Sequence, residues 1–373
     1  MSDTHSPLVS VLVPICNVEK YLEQCLESAR AQTLEDIEVI CINDGSTDGS
    51  LGIINSFVEK DHRFKVIDKP NSGYGDSMNK GLEMARGKYI AILESDDFLE
   101  PEALEYMYGE AERQELDVLK CNFWLYWSAT SAARLNRHDV YFPAVSTEMV
   151  LMGVHRPVDV PDIFWAKASI WSALYRRDFL DEHGIRFLPT PGASFQDTSF
   201  SFKVYACAER AAYSSRAFLH YRQDNEKSSV NNPGKVFCVC DEHAEMSRFL
   251  NEERPDLKPA LDPVRAKVKF FNYRWNLYRL APNLRVQFLE RFSAEMREEI
   301  EGGNILRANG PFERYGFSQG EVDEANEIAY ESDLYGVRST LEGGGKLDTF
   351  KAYLHAGGFP LVCKVIGKKL SRR

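Results

Sequence analysis

The sequence predicts an α/β fold with a mostly parallel central sheet and helices on both of its faces. Three observations carry this prediction: β-prone runs alternate with helical patterns at short spacing, the runs are apolar on both faces, and each run ends in a turn rich in Gly, Asn or Asp. Continuous apolar strands are typical of parallel sheets covered on both sides. Because every turn follows the carboxyl end of a strand, the turns should meet in one crevice, where open α/β sheets bind ligands.

The four predicted strands cover residues 8–13, 37–42, 64–67 and 89–93. After the first strand a helical pattern begins, and Asn17 is its expected N-cap. The helix after the third strand carries Met78, Leu82 and Ala85 on one face, and we expect Gly87 to end it in the left-handed conformation. Residues 8–110 are therefore expected to alternate between strand and helix.

The fourth predicted strand runs directly into the acidic turn Glu94, Ser95, Asp96 and Asp97. Strand-end carboxylates suit Mg²⁺ or Mn²⁺ bound to a diphosphate, because Mg²⁺ keeps several waters and takes only one or two protein carboxylates. The alternative is an acidic turn that caps a helix, and Asp97 in particular is placed to cap the helix expected to open at Pro101.

Composition limits the function. A net charge of −11 argues against a general nucleic-acid binder, whose surface would be basic. The eight cysteines lack disulfide-framework or zinc spacing, which indicates a reducing compartment, and Cys16, Cys25 and Cys41 are expected to be buried. Residues 1–7 are short and polar, unlike a signal peptide, and no run approaches the roughly 20 apolar residues of a membrane span. A cytoplasmic protein is expected.

The last third of the chain has a different character. Residues 235–340 carry helical patterns such as 264–280 and 284–300, and core packing explains their aromatic residues better than sugar stacking. Residues 346–373 hold seven Lys or Arg against one Asp, a charge of +6 that leaves −17 on the remainder. This tail fits a basic amphipathic segment on an anionic membrane, peripheral at the inner membrane face. The alternative is a helix docked on its own domain.

Four segments, taken together and in order, resemble glycosyltransferase family 2. They are residues 11–14 (Val-Leu-Val-Pro), residues 43–48 (Asn-Asp-Gly-Ser-Thr-Asp), Asn71-x-Gly73 with Asn79-x-Gly81, and residues 94–97 (Glu-Ser-Asp-Asp). The resemblance is specific over residues 8–110, looser over 111–230, and absent beyond 235. It implies the GT-A fold and a metal-dependent, inverting transferase of the hexosyltransferase type. The implied donor is a nucleotide diphosphate sugar, a UDP-sugar first, and the implied acceptor is a glycan or polyprenol-linked saccharide of surface polysaccharide biosynthesis.

The same resemblance implies roles at the metal and at the acceptor. Asp96 is the implied direct ligand of Mn²⁺ or Mg²⁺, with Glu94 and Ser95 near the sugar or ribose. Asp197 is the implied general base, which would take the proton of the acceptor hydroxyl. Its alternative role is that of a helix N-cap. The sequence departs from the family pattern twice, with Glu94 where Asp is usual and Gln196 where Glu is usual.

The remaining turns are implied to bind the nucleotide. Pro14 and its neighbours, with Asn17 beside them, should contact the base through backbone groups, and Asp44 should accept from a uracil-type N–H. Asn71 is likewise placed at the base, and Asn79 belongs to the same donor site.

Late in the chain's second segment, Arg222 is expected to make a bidentate phosphate contact. His220 would complete the metal shell, with a structural role as its alternative. Met78 stands where relatives carry Arg, which leaves the nucleotide open. Trp165 and Trp171 flank the expected acceptor entrance, where sugar stacking and core burial are both possible.

The predicted organisation is a GT-A domain over residues 1–230, with a nucleotide-sugar half (8–110) and an acceptor half (111–230). A helical extension (231–345) and the basic tail (346–373) follow. Two alternatives remain at this point. One is a nucleotidyltransferase of related fold, although such enzymes carry a Gly-rich basic loop after the first strand and residues 14–18 do not. The other is a non-catalytic nucleotide-sugar-binding protein, which the departures at Glu94 and Gln196 keep open.

Overall fold

The computed structural model describes residues 6–134, 136–226, 235–305, 316–333 and 335–336. The chain divides into two compact units, residues 1–231 and residues 232–373. The predicted basic tail lies outside the described residues, so its contact with a membrane stays a prediction. Among the helices that are described, none is long and apolar enough to cross a membrane.

The first unit is built on a mixed sheet. Its strands are β1 (Val9–Ile15), β2 (Ile37–Asp44), β3 (Phe64–Lys69), β4 (Tyr89–Ile92), β5 (Phe98–Leu99), β6 (Val118–Tyr126), β7 (Asp139–Phe142), β8 (Ala173–Arg176) and β9 (Ala211–Arg222). Their order is β3-β2-β1-β4-β8-β6-β9-β5, and β7 pairs with β6. Strands β3, β2, β1 and β4 are parallel, whereas β8 is antiparallel to β4 and β6. The predicted α/β class and the four predicted strands are confirmed.

Helices connect these strands. They are α1 (Glu19–Arg30), α2 (Ser50–Lys60), α3 (Tyr74–Met84), α4 (Ala103–Arg113), α5 (Thr147–Leu151), α6 (Arg177–Glu182) and α7 (Gln196–Cys207). Helix α1 buries Leu22, Cys25, Leu26 and Ala29, the face that its apolar spacing predicts. Strands β1 and β2 are buried along their whole length, and their residues are apolar apart from Ser10 in β1 and Glu38, Asn43 and Asp44 in β2.

Two predicted helix caps are wrong. Val18 occupies the N-cap position of α1, and Asn17 has a left-handed φ of 52°. The Asn17 side-chain oxygen accepts a hydrogen bond from the Thr47 backbone nitrogen at 2.8 Å, so it joins the turns after β1 and β2. Asp97 does not cap α4, because α4 begins only at Ala103 and the Asp97 side chain is buried. In both cases a contact between distant segments replaces the local one.

Gly87 does not end α3 as predicted. The helix stops at Met84, and Ala85 behind it is extended. A Cβ at Gly87 would lie 2.4 Å from the Ser10 backbone nitrogen and 2.7 Å from the carbonyl carbon of Val9. Glycine is needed here because the chain entering β4 passes directly against β1, where a side chain has no room.

The burial of the three N-terminal cysteines depends on whether each lies inside a strand or helix or in a turn. Cys25 and Cys41 are buried as predicted, whereas Cys16 is exposed. Strand β1 ends at Ile15, so Cys16 already belongs to the turn that lies at the carboxyl edge of the sheet.

The second unit is helical where it is described. Its helices are α8 (Cys238–Arg248), α9 (Lys258–Arg279), α10 (Pro282–Glu301) and α11 (Gln319–Tyr330), with a π-helical turn (Phe249–Glu253) after α8. The helical patterns predicted at 264–280 and 284–300 are therefore confirmed. Phe270 and Tyr273 are fully buried, and Tyr273 packs against Phe288 and Phe292. Core packing, as predicted, accounts for Phe270 and Tyr273, whereas Trp275 and Tyr278 of the same aromatic set are exposed.

Candidate active site

The carboxyl ends of β1, β2 and β3 supply turns that hold one another. The Asp44 carboxylate ends β2 and accepts hydrogen bonds from the backbone nitrogens of Ser72 at 2.8 Å and Gly73 at 3.0 Å. It also pairs with the Lys69 ammonium. The side chain predicted to read the nucleotide base therefore fixes the turn that follows β3, and any contact with a base has to share these acceptor oxygens.

The other predicted base contacts surround Asp44. Asn71 is exposed, and its amide nitrogen donates to the Asp44 carbonyl oxygen at 2.9 Å. Asn17 is also exposed, and its side-chain oxygen accepts a hydrogen bond from the Thr47 backbone nitrogen at 2.8 Å. Pro14 lies buried within β1, opposite Ile42 of β2. The structure thus brings Asn17, Asp44 and Asn71 to one edge of the sheet, with Pro14 in the strand below.

Asn79 is engaged elsewhere. Its amide nitrogen donates to the Phe187 carbonyl oxygen at 2.9 Å, and its side-chain oxygen accepts from the Phe187 backbone nitrogen at 2.9 Å. Both ends of the amide therefore bind the backbone of a segment 108 residues away. In this structure Asn79 ties α3 to the chain ahead of α7.

The acidic turn after β4 lies between two sets of partners. The Tyr74 hydroxyl donates to Glu94 at 2.6 Å, and the Asn225 amide donates to the Asp96 carboxylate at 2.7 Å. Asp97 is buried, and its Oδ1 atom accepts a hydrogen bond from the Arg222 backbone nitrogen at 2.8 Å. The other oxygen, Oδ2, is buried without a hydrogen-bond partner among the described residues. Ser95 is half-buried in the same turn.

Asp197 lies in the first turn of α7. Phe195, with a left-handed φ of 62°, occupies the N-cap position, so Asp197 is not the N-cap itself. Burial raises the pKa of the Asp197 carboxyl to about 6, and the charges of Lys167 and Lys120 oppose this rise. A carboxylate with a pKa near the working pH is well suited to accept a proton, which the cap role does not require.

The acidic groups act on one another. Burial, together with the charges of Asp96 and Asp197, raises the pKa of Glu94 to about 8. Burial and the charge of Asp96 raise the pKa of Asp97 well above its usual range. Such mutual repulsion shows that these carboxyl groups share one poorly solvated region. Asp197 belongs to it, although it comes about 100 residues after Asp96 in the chain.

The hydrogen bonds of the Gln196 side chain explain why an amide, and not a carboxylate, stands at this position. Its side-chain oxygen accepts the Ser194 backbone nitrogen, and its nitrogen donates to the Thr190 hydroxyl at 2.9 Å and to the Gly192 carbonyl at 3.3 Å. An amide can donate and accept at once, whereas a carboxylate only accepts. The departure from the family pattern at Gln196 therefore closes the loop of residues 190–194.

Arg222 is buried and serves as a clamp. Its guanidinium donates to the Asp96 carbonyl at 2.8 Å, and to the Ser128 hydroxyl and the Gln24 side chain at 2.7 Å each. It also lies over the Tyr21 ring, 4.4 Å from the centroid. The predicted bidentate contact with a phosphate would need some of these bonds to be released.

His220 also has protein partners on both ring nitrogens. Nδ1 lies 2.6 Å from Asp139 and Nε2 lies 3.2 Å from Glu100, and the ring stacks on Phe98 at 4.4 Å. Across the described ranges, no group of three or more His, Cys, Asp or Glu side chains is arranged to hold a metal ion. A role of His220 in the metal shell stays a prediction, while the contacts seen are those of a structural histidine.

The residues of the acidic turn nevertheless fit a divalent cation. The buried, unpartnered Oδ2 of Asp97 and the raised pKa values of Glu94 and Asp97 describe carboxyl groups that lack a compensating cation. The donor atoms are all oxygens, as Mg²⁺ and similar hard ions prefer, and Mg²⁺ is usually bound by one or two carboxylates together with substrate phosphates. A site that is incomplete without a diphosphate is therefore what this donor set predicts.

Several residues of this region have contacts that were not anticipated. Tyr74 and Asn225 bind the acidic turn, and Lys120 and Lys167 act on Asp197. Tyr74 directly follows the Asn71-x-Gly73 segment, so its position in the sequence was a usable signal. Lys120 lies in the buried strand β6, and nothing in its local sequence indicates a link to Asp197.

Comparison with known proteins identifies the family of this chain. The family model described as "Glycosyl transferase family 2" matches residues 10–183. The uncharacterized glycosyltransferase EpsJ of Bacillus subtilis (strain 168) is 30% identical over 272 residues, which are 72% of this chain and 70% of EpsJ. The putative glycosyltransferase EpsH of the same organism is 34% identical over 223 residues, which are 58% of this chain and 61% of EpsH. This match therefore spans less than two thirds of EpsH. The chain belongs to glycosyltransferase family 2, a family of glycosyltransferase enzymes.

A solved structure has the same fold. The crystal structure of S. aureus TarS 1–349 in complex with UDP-GlcNAc superposes with a TM-score of 0.64 at 20% sequence identity. The superposition covers 91% of this chain and 93% of the TarS chain. The likeness extends over most of both chains and confirms the GT-A fold.

Proposed function

We propose that this protein transfers a sugar, with inversion, from a nucleotide diphosphate sugar to a hydroxyl of a glycan or polyprenol-linked saccharide in surface polysaccharide biosynthesis. A UDP-sugar is the preferred donor, in line with the UDP-GlcNAc of the TarS complex. The observation that carries the proposal is the shared poorly solvated region of Glu94, Asp96, Asp97 and Asp197. This shared region supports the proposal of a diphosphate site and a base within electrostatic reach of each other.

Asp96 is the proposed ligand of Mn²⁺ or Mg²⁺. When bound, such an ion would neutralise charge on the leaving diphosphate. Two hydrogen bonds position Asp96: Asn225 donates to its carboxylate, and Arg222 donates to its backbone carbonyl. Arg222 is proposed here to position the acidic turn, and a direct contact with phosphate is its further predicted role.

Asp197 is the proposed base. Its carboxylate takes the proton of the acceptor hydroxyl as that oxygen attacks the anomeric carbon, and the bond from this carbon to the diphosphate oxygen breaks on the opposite face. With a pKa of about 6, the carboxyl is largely ionised at neutral pH and still basic enough to accept the proton. Asn17, Asp44 and Asn71 are proposed to face the nucleotide, while Glu94 and Ser95 face the sugar or ribose.

The two alternatives, a non-catalytic protein and a nucleotidyltransferase, each lose support from one feature of the chain. The hydrogen bonds of Gln196 explain its amide, so that departure no longer argues for a non-catalytic protein. The turn after β1 is formed by Cys16 and Asn17, without the basic Gly-rich loop of nucleotidyltransferases. Contact of the tail, residues 346–373, with an anionic membrane remains part of the proposal, because a polyprenol-linked acceptor would be found there.

A screen of nucleotide sugars tests the proposal. Thermal shift would be measured for UDP-, GDP- and ADP-sugars with Mn²⁺ present, with UMP and Mn²⁺ alone as controls. We expect a UDP-sugar to raise the melting temperature only with the ion, since the diphosphate completes the metal site. The stabilising donor should then release free sugar slowly in a metal-dependent reaction. Stabilisation by every nucleotide alike, without any release of sugar, would contradict transferase activity.

A further inference from the structure

Lys167 carries an ammonium group within electrostatic reach of the proposed base. The residue keeps accessible surface, although neighbouring groups partly desolvate its ammonium, and it follows the short helical turn of residues 161–165. Its Nζ atom lies 4.2 Å from the ring centre of Tyr221 and within 6 Å of three further rings, Phe123, Phe142 and Trp171. The Lys167 ammonium forms no hydrogen bond or ion pair with any residue that the structure describes.

The four rings form a rigid platform beneath this ammonium. Trp171 stacks on Tyr221 at 4.8 Å, Phe123 stacks on Phe142 at 4.7 Å, and Phe123 meets Trp171 edge to face at 4.5 Å. Trp171 and Phe123 are buried, so core burial describes Trp171 better than an open stacking surface. Ring faces attract a cation but leave its hydrogen-bond donors unused. Lys167 is therefore held in place with its donors available.

The charges around the Lys167 ammonium indicate its function. Lys167 has the largest opposing effect on the raised pKa of Asp197, and Asp197 and Asp97 in turn act on Lys167, so the three groups lie within electrostatic reach of one another. Lys120 also acts on Asp197, but it is buried and bound to Ser169. A ligand that approaches Asp197 can reach only Lys167 of these two cations.

A neutral acceptor has no need of this ammonium, whereas an anionic acceptor does. The Asp197 carboxylate, ionised above its pKa of about 6, would repel a negative charge brought next to it. A cation with unused donors on the approach to Asp197 would offset that repulsion through a charge-assisted hydrogen bond. Burial lowers the pKa of Lys167, which adds a further gain when an anion arrives to pair with it.

We propose that Lys167 binds an anionic group, a carboxylate or a phosphate, carried by the acceptor saccharide close to the hydroxyl that Asp197 activates. The proposal rests on the proposed role of Asp197 and deepens it, because it names the chemical class of the acceptor. Lys167 is then the residue that selects an acidic acceptor over a neutral one.

The test compares three saccharides that differ at one carbon: p-nitrophenyl β-D-glucoside, its 6-carboxylate (the glucuronide) and its 6-phosphate. Binding to the full chain is measured by NMR titration of the saccharide signals, with UDP and Mg²⁺ present. At least one anionic probe should bind about tenfold more tightly than the glucoside, the scale of a hydrogen bond to a charged group. A preference for the carboxylate or for the phosphate identifies which anion the site takes.

Variants assign the preference to Lys167. Lys167→Met keeps an apolar stem over the rings and removes the charge, so the anionic probe should fall to the affinity of the glucoside. Lys167→Arg should keep most of the preference. Lys60→Gln, an exposed lysine at the end of α2, removes the same charge elsewhere and should change nothing. Equal affinity of all three probes for the wild type, or an equal loss for all three in Lys167→Met, would overturn the proposal.

UDP affinity, measured by calorimetry on the same samples, separates the two levels of the argument. If UDP binds in a metal-dependent way and the anionic preference is missing, only the role of Lys167 fails. If the wild type does not bind UDP at all, the proposed function fails, whatever the saccharide preference.

Discussion

Adjacent aspartates in the acidic turn have opposite surroundings. Asp96 is half-buried and accepts a hydrogen bond from Asn225, whereas Asp97 is buried with Oδ2 unpartnered in the described structure. Asp96 can therefore turn to a ligand at small cost. Asp97 is a buried carboxyl group with a raised pKa, so its ionised form needs a nearby cation.

Asp96→Asn should abolish metal-dependent binding of UDP and leave the fold intact. The amide keeps the size of the side chain, but it removes the charge that a hard cation requires. Calorimetry of UDP with Mn²⁺ measures the loss, and circular dichroism checks the fold. Asp178→Asn is the matched control, since Asp178 is an exposed first-turn carboxylate of α6. Undiminished UDP–Mn²⁺ affinity in Asp96→Asn would remove Asp96 from the metal site.

Asp197→Asn should slow transfer roughly 10²- to 10⁴-fold, the usual scale for loss of a general base. Donor binding should change little, because Asp197 is proposed to act on the acceptor. Initial rates and UDP affinity are measured together, again with Asp178→Asn as control. Gln196→Ala is a poor control, because Gln196 holds the loop of residues 190–194. A variant that only melts at lower temperature, with normal rates, would return Asp197 to a structural role.

The pH dependence of transfer follows from the same carboxyl group. Asp197 must be ionised to take a proton, and its pKa is raised to about 6, so kcat/KM should rise with pH and level off above that value. Lys167→Met should move this rise to higher pH, because the charge of Lys167 opposes the rise in the pKa of Asp197. A rate profile of both proteins with a neutral acceptor checks the shift. An unshifted profile would mean that Lys167 does not act on the base.

At the scale of elements, the contact between the chain entering β4 and strand β1 fixes the central sheet. Gly87 allows that contact, and its nitrogen donates to the Ser10 hydroxyl at 2.8 Å. Gly87→Ala should lower the free energy of unfolding by about 1–3 kcal/mol, the usual cost of overpacking. Denaturant unfolding measures the change. Gly109→Ala is the matched control, because Gly109 lies in α4 with open space around its Cβ position, and it should stabilise by about 0.4–1 kcal/mol.

If Gly87→Ala proved as stable as the wild type, the close approach to β1 would not be the reason for glycine. The same comparison shows where sequence patterns fail. Asn17 and Gly87 carry the residue types of a helix cap, but their roles depend on segments that are 30 and 77 residues away in sequence. A local pattern contains no information about such partners.

At the scale of the molecule, β1, β2 and β4 could be predicted because full burial goes with largely apolar sequences. Strand β3 could be predicted from its β-prone start, residues 64–67, although it is less buried. The strands of residues 111–230 could not, since β6, β8 and β9 pair across gaps of about 40–90 residues. In the site, Asp96 and Asp197 came from the family resemblance. The engagement of Asn79 and Arg222 by the protein itself required side-chain geometry.

Removal of residues 346–373 should abolish sedimentation with anionic liposomes and leave donor hydrolysis nearly unchanged. Each Lys or Arg near an anionic surface contributes about 1 kcal/mol, so binding should also fall steeply with added salt. A full-length variant with the tail Lys and Arg changed to Gln separates charge from the apolar residues. Equal sedimentation of full-length and truncated protein would refute the role of the tail.

Strand β3 ends the strand order of the sheet, so in the described structure one side of its backbone has no strand beside it. Three of its six residues, Lys65, Asp68 and Lys69, are charged. A flat apolar edge invites a strand of another molecule to add to it, which is the first step of aggregation. Addition here would bring like charges of two copies together or strip them of water. The charges of β3 thus protect the sheet against ordered self-association when the protein is concentrated.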